Sequence, residues 1–368
     1  MARAAVCSAG SWGTAVAKIL GDAGGDVIVH ARRPEIVGAI NTGHRNPAYW
    51  PDVELPPSVA ATTDPAAALD SADYLVLSIP AQTLRANLAA WAPYIGPDTV
   101  VVSLMKGIER DTGLRASQVI AEVAGVSADR VAVLSGPNLA REVMAGLPAA
   151  ATVACPDEEA ARRFQAACHT PYFRPYTSTD VVGCELGGAV KNVIAVAAGV
   201  ASGMGLGDNA VAILIARGLA EVIRLGTAMG ADPATLGGLA GLGDLVATCT
   251  SPLSRNRTFG ARVGSGLTVD QAAATGQTTE GVKSAEAILG LARIHDVEMP
   301  ITGVVSALLL FSATWTTGAD ARTASARTRR AQNQGLSNTL IAVIIDCPVP
   351  THERRATGRS HRCRRQRP

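Results

Sequence analysis

Residues 8–13 read SAGSWG, and this tight turn of small residues limits the chain to few folds. An apolar run that starts by about residue 4 leads into it, and a segment with Ala and Leu at helical spacing leads out. A strand that turns this sharply into a helix must pack the helix against its own sheet, and glycine permits that approach. A second apolar run, Asp26–His30, completes a βαβ unit. Further strand-like runs lie at residues 74–80, 99–107, 131–138 and 149–155, with helical patterns between them. This alternation predicts an α/β chain whose N-terminal part is a doubly wound, mostly parallel sheet.

The turn has a chemical reading as well. Gly10 and Gly13 hold the second and third glycine positions of G-x-G-x-x-G, and Ser8 holds the first. In a dinucleotide site the second glycine admits a pyrophosphate, the third lets helix and sheet meet, and free N–H groups at the helix start bind the anion. The same residues would also make an ordinary strand-to-helix turn; their place after the first strand favours the dinucleotide. NAD-selective sites offer an acid at the end of the second strand. Here that position reads His30-Ala31-Arg32-Arg33. Two guanidinium groups suit a ribose 2′-phosphate, which favours NADPH over NADH, with a solvated basic loop as the other reading.

From about residue 180 the strand patterns stop and long helical ones take over, broken by Gly- and Pro-bearing loops. The chain has 33 basic residues, of which only Lys18, Lys106, Lys191 and Lys283 are lysine. Lys191 sits inside the apolar run GGAVKNVIAV. A lysine gives up its proton when a pocket or neighbouring cation lowers its pKa, and an arginine effectively does not. Lys191 is therefore a candidate proton shuttle, with a snorkelling surface lysine as the alternative. Gly187 and Gly188 lie one turn earlier, where absent side chains would leave room for a small ligand. Lys106 follows the 99–107 run, and strand carboxyl ends face the ligand crevice of such sheets. Between residues 238 and 260, Asp244 follows a glycine-rich bend, and Ser254-Arg255-Asn256-Arg257 groups donors suited to phosphate oxygens or to a plain polar loop.

With 48% apolar and 17% charged residues, 368 residues can bury the cores of two domains. Seven scattered cysteines without a CxxC pair speak against a disulfide framework or zinc site and read as reduced thiols of a cytoplasmic protein. A core strand starting by residue 4 leaves no place for a signal peptide, and Gly, Asp and Arg interrupt the longest apolar runs short of a membrane span.

Taken together, GSWGTA (10–15), SLMKGIE (103–109), LSGPNLAREV (134–143), GGAVKNVIA (187–195), GLGDL (241–245), TSPLSRNR (250–257) and EGVKS (280–284) resemble the bacterial NAD(P)-dependent glycerol-3-phosphate dehydrogenases. The likeness runs collinearly from residue 3 to about residue 305. It implies a Rossmann-like dinucleotide domain followed by an all-helical substrate domain. It implies reversible reduction of dihydroxyacetone phosphate to sn-glycerol 3-phosphate for phospholipid synthesis, with NADPH or NADH and no metal. By the same likeness, Lys191 is the proton donor and acceptor. Lys106, Gly136, Asn138, Asp244, Ser254, Arg255 and Asn256 complete the substrate site, with Lys106 a cation near Lys191 and Asp244 bonded to the lysine or to a substrate hydroxyl. Gly10, Ser11, Trp12, Gly13, Arg32, Arg33, Lys106, Ala140, Arg255, Thr278 and Glu280 meet the coenzyme. A homodimer is compatible with it, and no motif points to nucleic acid.

Two features depart from the family pattern. Ser8 replaces a glycine, at a backbone cost of order 1 kcal/mol if positive φ is required. Residues 319–368 carry 11 Arg against 3 acids, a balance of +8, so the first 318 residues carry −6 of the net +2. The expected units are therefore a dinucleotide domain over 1–178, a helical domain over 179–312, and an Arg-rich tail over 313–368. That tail reads as a disordered extension, a basic arm, or the product of a reading-frame shift. The rival functions are another hydroxyacid or 6-phosphogluconate-type dehydrogenase and a cofactor-binding protein without turnover.

Overall fold

The computed structural model describes residues 1–274 and 279–316, with side chains through Leu309. Thr278 and residues 317–368 of the tail lie outside the described residues.

Eight strands form one sheet: β1 (Arg3–Cys7), β2 (Asp26–His30), β3 (Val59–Thr62), β4 (Tyr74–Leu77), β5 (Val100–Ser103), β6 (Val131–Ser135), β7 (Ala149–Ala154) and β8 (Phe173–Ser178). Their order is β3-β2-β1-β4-β5-β6-β7-β8, and every pair is parallel except β6 with β7. Every residue of β4, β5 and β6 is buried. Continuous apolar runs are what a parallel sheet covered on both faces needs. Alternation splits the central strands between two cores: in β1, Ala4 and Val6 pack on one face, Ala5 and Cys7 on the other. The covering helices are α1 (Ser11–Asp22), α2 (Pro34–Gly43), α3 (Pro65–Leu69), α4 (Leu84–Trp91), α5 (Ala116–Ala124), α6 (Ala140–Met144) and α7 (Glu158–Ala167). The strand order reverses between β1 and β4, and the crevice at a reversal point lies beyond the strands' carboxyl ends.

Two strands escape the sequence reading. β3 buries only alternate residues, Val59 and Ala61, and so shows no unbroken apolar run. β8 contains Pro175, which a strand tolerates because β8 is the sheet edge.

The helical half is built round α8 (Val181–Gly203), in which all residues from Gly183 to Ala201 are buried. Asp180 caps it, accepting a hydrogen bond from the Gly183 N–H at 2.7 Å. By length and hydropathy α8 could cross a membrane, contrary to the expectation of interrupted runs. Yet 94% of that window is buried in the protein, so it is the core helix. Around it pack α9 (Gly207–Ala228), α10 (Pro233–Gly237), α11 (Asp244–Thr250), α12 (Arg255–Gly264), α14 (Glu280–Ile294) and α15 (Pro300–Thr316), while α13 (Val269–Ala273) packs on α12 and α15. Glycine sets the closeness of α8 and α12. A Cβ on Gly260 would lie 2.1 Å from the Val196 carbonyl oxygen, and one on Gly199 would lie 2.1 Å from that of Arg257.

Candidate active site

The loops after β5 and β6 meet α8 and the start of α11 beyond the strand ends. Gly136, just past β6, has φ of 152°, and a Cβ there would lie 2.9 Å from the Ala150 carbonyl oxygen. Only glycine fits both demands. Its carbonyl accepts a hydrogen bond from Lys106 Nζ at 2.9 Å.

On the other side, a π-helical turn (Leu239–Gly243) leads into α11 and presses on α8. A Cβ on Gly241 would lie 1.9 Å from Leu236 O, and one on Gly187 would lie 2.5 Å from Ala240 O. Gly188 faces Ser135 Oγ and the Lys106 stem. The space over these two glycines is thus filled by protein, not left for a ligand as the spacing implied. Their effect is to bring the π turn close enough for Asp244 to reach Lys191.

The result is one carboxylate between two ammonium groups. Asp244 Oδ1 lies 2.6 Å from Lys191 Nζ, and Oδ2 lies 2.6 Å from Lys106 Nζ. Lys191 also donates to Thr248 Oγ1 at 2.7 Å. Asp244 is 2% exposed and Lys191 6%, so the surface-lysine reading fails. Burial pushes Lys191 down to about 8 and the Lys106 charge adds to the fall, while Asp244 opposes both. An amine in that range exchanges its proton near neutral pH, as general acid–base catalysis requires.

A hydrogen-bonded chain ties this centre to two further helices. Asn192 Nδ2 donates to the Lys106 carbonyl at 3.1 Å, and its Oδ1 accepts from Asn256 Nδ2 at 2.9 Å. Asn256 Oδ1 accepts from the Gly281 N–H at 3.0 Å. Ser254 Oγ caps α12, accepting from the Arg257 N–H at 3.2 Å, and Arg255 opens that helix with its side chain exposed. Among the described residues Glu280 Oε2 is buried without a partner, and a Cβ on Gly107, beside Lys106, would lie 3.1 Å from it. Burial raises the Glu280 pKa against the charges of Lys283 and Arg255.

The glycine turn lies further along the strand ends. Cys7 is in register with Leu77, and Leu77 with Ser103. The turn after β1 and the Lys106 loop are therefore two strand spacings apart, about 10 Å. A Cβ on Gly13 would lie 2.2 Å from Ser8 O, so the helix–strand contact requires that glycine. Ser8 itself has φ of 149°, a glycine conformation held by a serine. The α1 start has no side-chain cap, and Arg32 and Arg33 are exposed just past β2. Asn138 and Ala140 lie half-buried between β6 and the start of α6.

The two halves match family models in the same order. The NAD-dependent glycerol-3-phosphate dehydrogenase N-terminus covers residues 3–161, and the C-terminus of the same family covers residues 180–315. The chain belongs to the NAD-dependent glycerol-3-phosphate dehydrogenase family. It is 63% identical to glycerol-3-phosphate dehydrogenase [NAD(P)+] of Streptomyces avermitilis over 304 residues, 82% of this chain and 90% of the relative. The enzyme of that name from Streptomyces griseus is 64% identical over 308 residues, 83% and 92% of the two chains. The crystal structure of glycerol-3-phosphate dehydrogenase from Coxiella burnetii superposes with a TM-score of 0.79 at 36% identity, covering 84% of this chain and 94% of that one. The rival superfamily assignment is thereby set aside. Within this dehydrogenase fold, Asn192 and Thr248 contact the lysine centre and lie outside the residues that the sequence reading names. Asn192 adjoins Lys191, and Thr248 stands one helical turn after Asp244; those spacings were the available signal.

Proposed function

We propose that the protein interconverts dihydroxyacetone phosphate and sn-glycerol 3-phosphate with NAD(P), using Lys191 as proton donor and acceptor. The observation that carries this reading is the buried Asp244 carboxylate held 2.6 Å from both Lys191 and Lys106. The nicotinamide coenzyme supplies or takes the hydride when bound. The residues fit such a group: Gly13 keeps α1 against the strand, the α1 N–H groups lack a cap, and Glu280 offers an orphan acceptor.

As hydride reaches C2, negative charge grows on the carbonyl oxygen, and the Lys191 ammonium gives that oxygen a proton. In the reverse direction neutral Lys191 takes the hydroxyl proton as hydride leaves C2. Asp244 keeps Lys191 oriented, and Lys106 balances the carboxylate charge so that the amine is not held permanently protonated. Gly136, Asn138, Asp244 and Asn256 line the substrate side. Ser254 and Arg255, at the start of α12, take the phosphate. Gly10, Ser11, Trp12 and Gly13 receive the pyrophosphate, and Arg32 and Arg33 receive a 2′-phosphate. Lys106, Ala140, Arg255 and Glu280 supply the remaining coenzyme contacts. The functional units divide near residue 179, a cytoplasmic enzyme fits the five free, buried cysteines among the described residues, and a homodimer is the assembly to test.

NADPH oxidation dependent on dihydroxyacetone phosphate tests the reading. Turnover should need the phosphate, with dihydroxyacetone and 3-oxoacids inactive. NADPH binding without turnover on any of these would instead leave a coenzyme-binding protein.

A further inference from the structure

The segment after α2 holds the glycine turn from the side. Asn46 is fully buried, and its Nδ2 donates to the Ala9 carbonyl at 2.9 Å and to Thr14 Oγ1 at 2.8 Å. Its Oδ1 accepts from the Ala48 N–H at 3.2 Å. Trp50 Nε1 donates to the Ser11 carbonyl at 3.0 Å. A tight turn within the segment brings the two side chains together. The Asn46 carbonyl accepts from the Trp50 N–H at 2.7 Å, and both side chains reach the start of α1.

Peptide planarity gives these contacts a consequence. In a trans peptide the carbonyl and the following N–H point in opposite directions. A donor that pins the Ala9 carbonyl therefore aims the Gly10 N–H away from residue 46. A donor that pins the Ser11 carbonyl aims the Trp12 N–H away from residue 50. Both lie at the helix start, whose N–H groups an anion uses; the Trp12 N–H meets no capping side chain there, and the Gly10 N–H meets Ser8 Oγ. The turn needs outside support, because Ser8 holds φ of 149° and its Oγ draws the Gly10 N–H to 3.0 Å.

We propose that Asn46 and Trp50 are positioning residues for the coenzyme pyrophosphate, acting through the carbonyls of Ala9 and Ser11. The proposal rests on the dinucleotide reading of this turn. Trp50→Phe keeps a ring in place and removes the Nε1–H. Loss of one hydrogen bond of this kind should raise the dissociation constant for NADPH about threefold to tenfold. The turnover number at saturating NADPH and the KM for dihydroxyacetone phosphate should stay within about twofold. Adenosine 2′-monophosphate, which has no pyrophosphate, should inhibit the variant and the wild type equally. Asn46→Ala should show the same pattern with a larger loss, read on protein whose melting transition remains cooperative. Unchanged NADPH affinity in Trp50→Phe, with a wild type that binds NADPH, overturns this proposal alone. An equal loss for NADPH and adenosine 2′-monophosphate, or a fall in turnover, marks general loosening of the domain and overturns it too. A wild type that does not bind NADPH overturns both this and the dinucleotide reading.

Discussion

Asp244→Asn tests the charge balance of the centre, because it removes the carboxylate between the two lysines with almost no change of shape. Asp244 is 3% exposed at its side chain and lies 2.6 Å from each ammonium nitrogen. Removing one partner of a buried ion pair costs about 3–5 kcal/mol. At 1.36 kcal/mol per pKa unit, that would lower the Lys191 pKa by about two to four if the ammonium bore all of it. Lys106, less buried, can turn toward water, so a fall of about two is expected. Lys191 would then titrate near 6 rather than near 8. Carbonyl reduction needs the protonated amine, so activity falls as pH rises through that value. At pH 7 the wild type is mostly protonated and the variant mostly neutral, a loss of about tenfold from protonation alone. Reduction by Asp244→Asn should recover as the pH is lowered toward 5. Oxidation needs the neutral amine, and its acid limb should move down by the same interval. The assay is the turnover number against pH in both directions at saturating substrates. A variant slowed by a constant factor, with both limbs where the wild type has them, would refute the assignment of these limbs to Lys191.

Coenzyme choice and the glycine turn give further tests. NADPH should support a higher kcat/KM than NADH, and replacing both Arg32 and Arg33 with Ala should narrow or reverse that gap; a wild type that prefers NADH contradicts the 2′-phosphate reading. Ser8→Gly sets strain relief of about 1–2 kcal/mol against a lost hydrogen bond of about 0.5–1.5 and glycine's entropy cost of about 0.5–1. These nearly cancel, so the melting temperature should move little, while the released Gly10 N–H should tighten NADPH binding severalfold by calorimetry. Weaker binding would place the Ser8 hydroxyl in the coenzyme site.

Much of the sheet was legible because buried parallel strands are unbroken apolar runs, as in β4, β5 and β6. β3 and β8 were not, since a strand that buries only alternate residues and a proline-bearing edge strand show no such run. Lysine chemistry drew attention to Lys106 and Lys191. Spacing alone does not bring them to one carboxylate, because Asp244 lies 138 and 53 residues away along the chain; only the family likeness points to a bond between Asp244 and the lysine. At Gly187 and Gly188 of α8 the spacing points to a ligand, whereas the fold brings protein there. A missing side chain signals close approach but not whether ligand or backbone makes it. Asn46 and Trp50 carry no reactive group, and their role depends on which carbonyls the fold turns toward them.

The central claim is that Lys191 moves the proton that accompanies hydride transfer. Lys191→Met keeps the bulk of the stem and removes the exchangeable proton, so its turnover number measures that claim directly. General acid–base catalysis contributes about 10² to 10⁴ in rate. The turnover number of Lys191→Met should fall at least about a hundredfold, with the NADPH dissociation constant near that of the wild type. A variant that binds NADPH and turns over at a near-normal rate would contradict the claim and leave the buried Lys191–Asp244 pair a structural one.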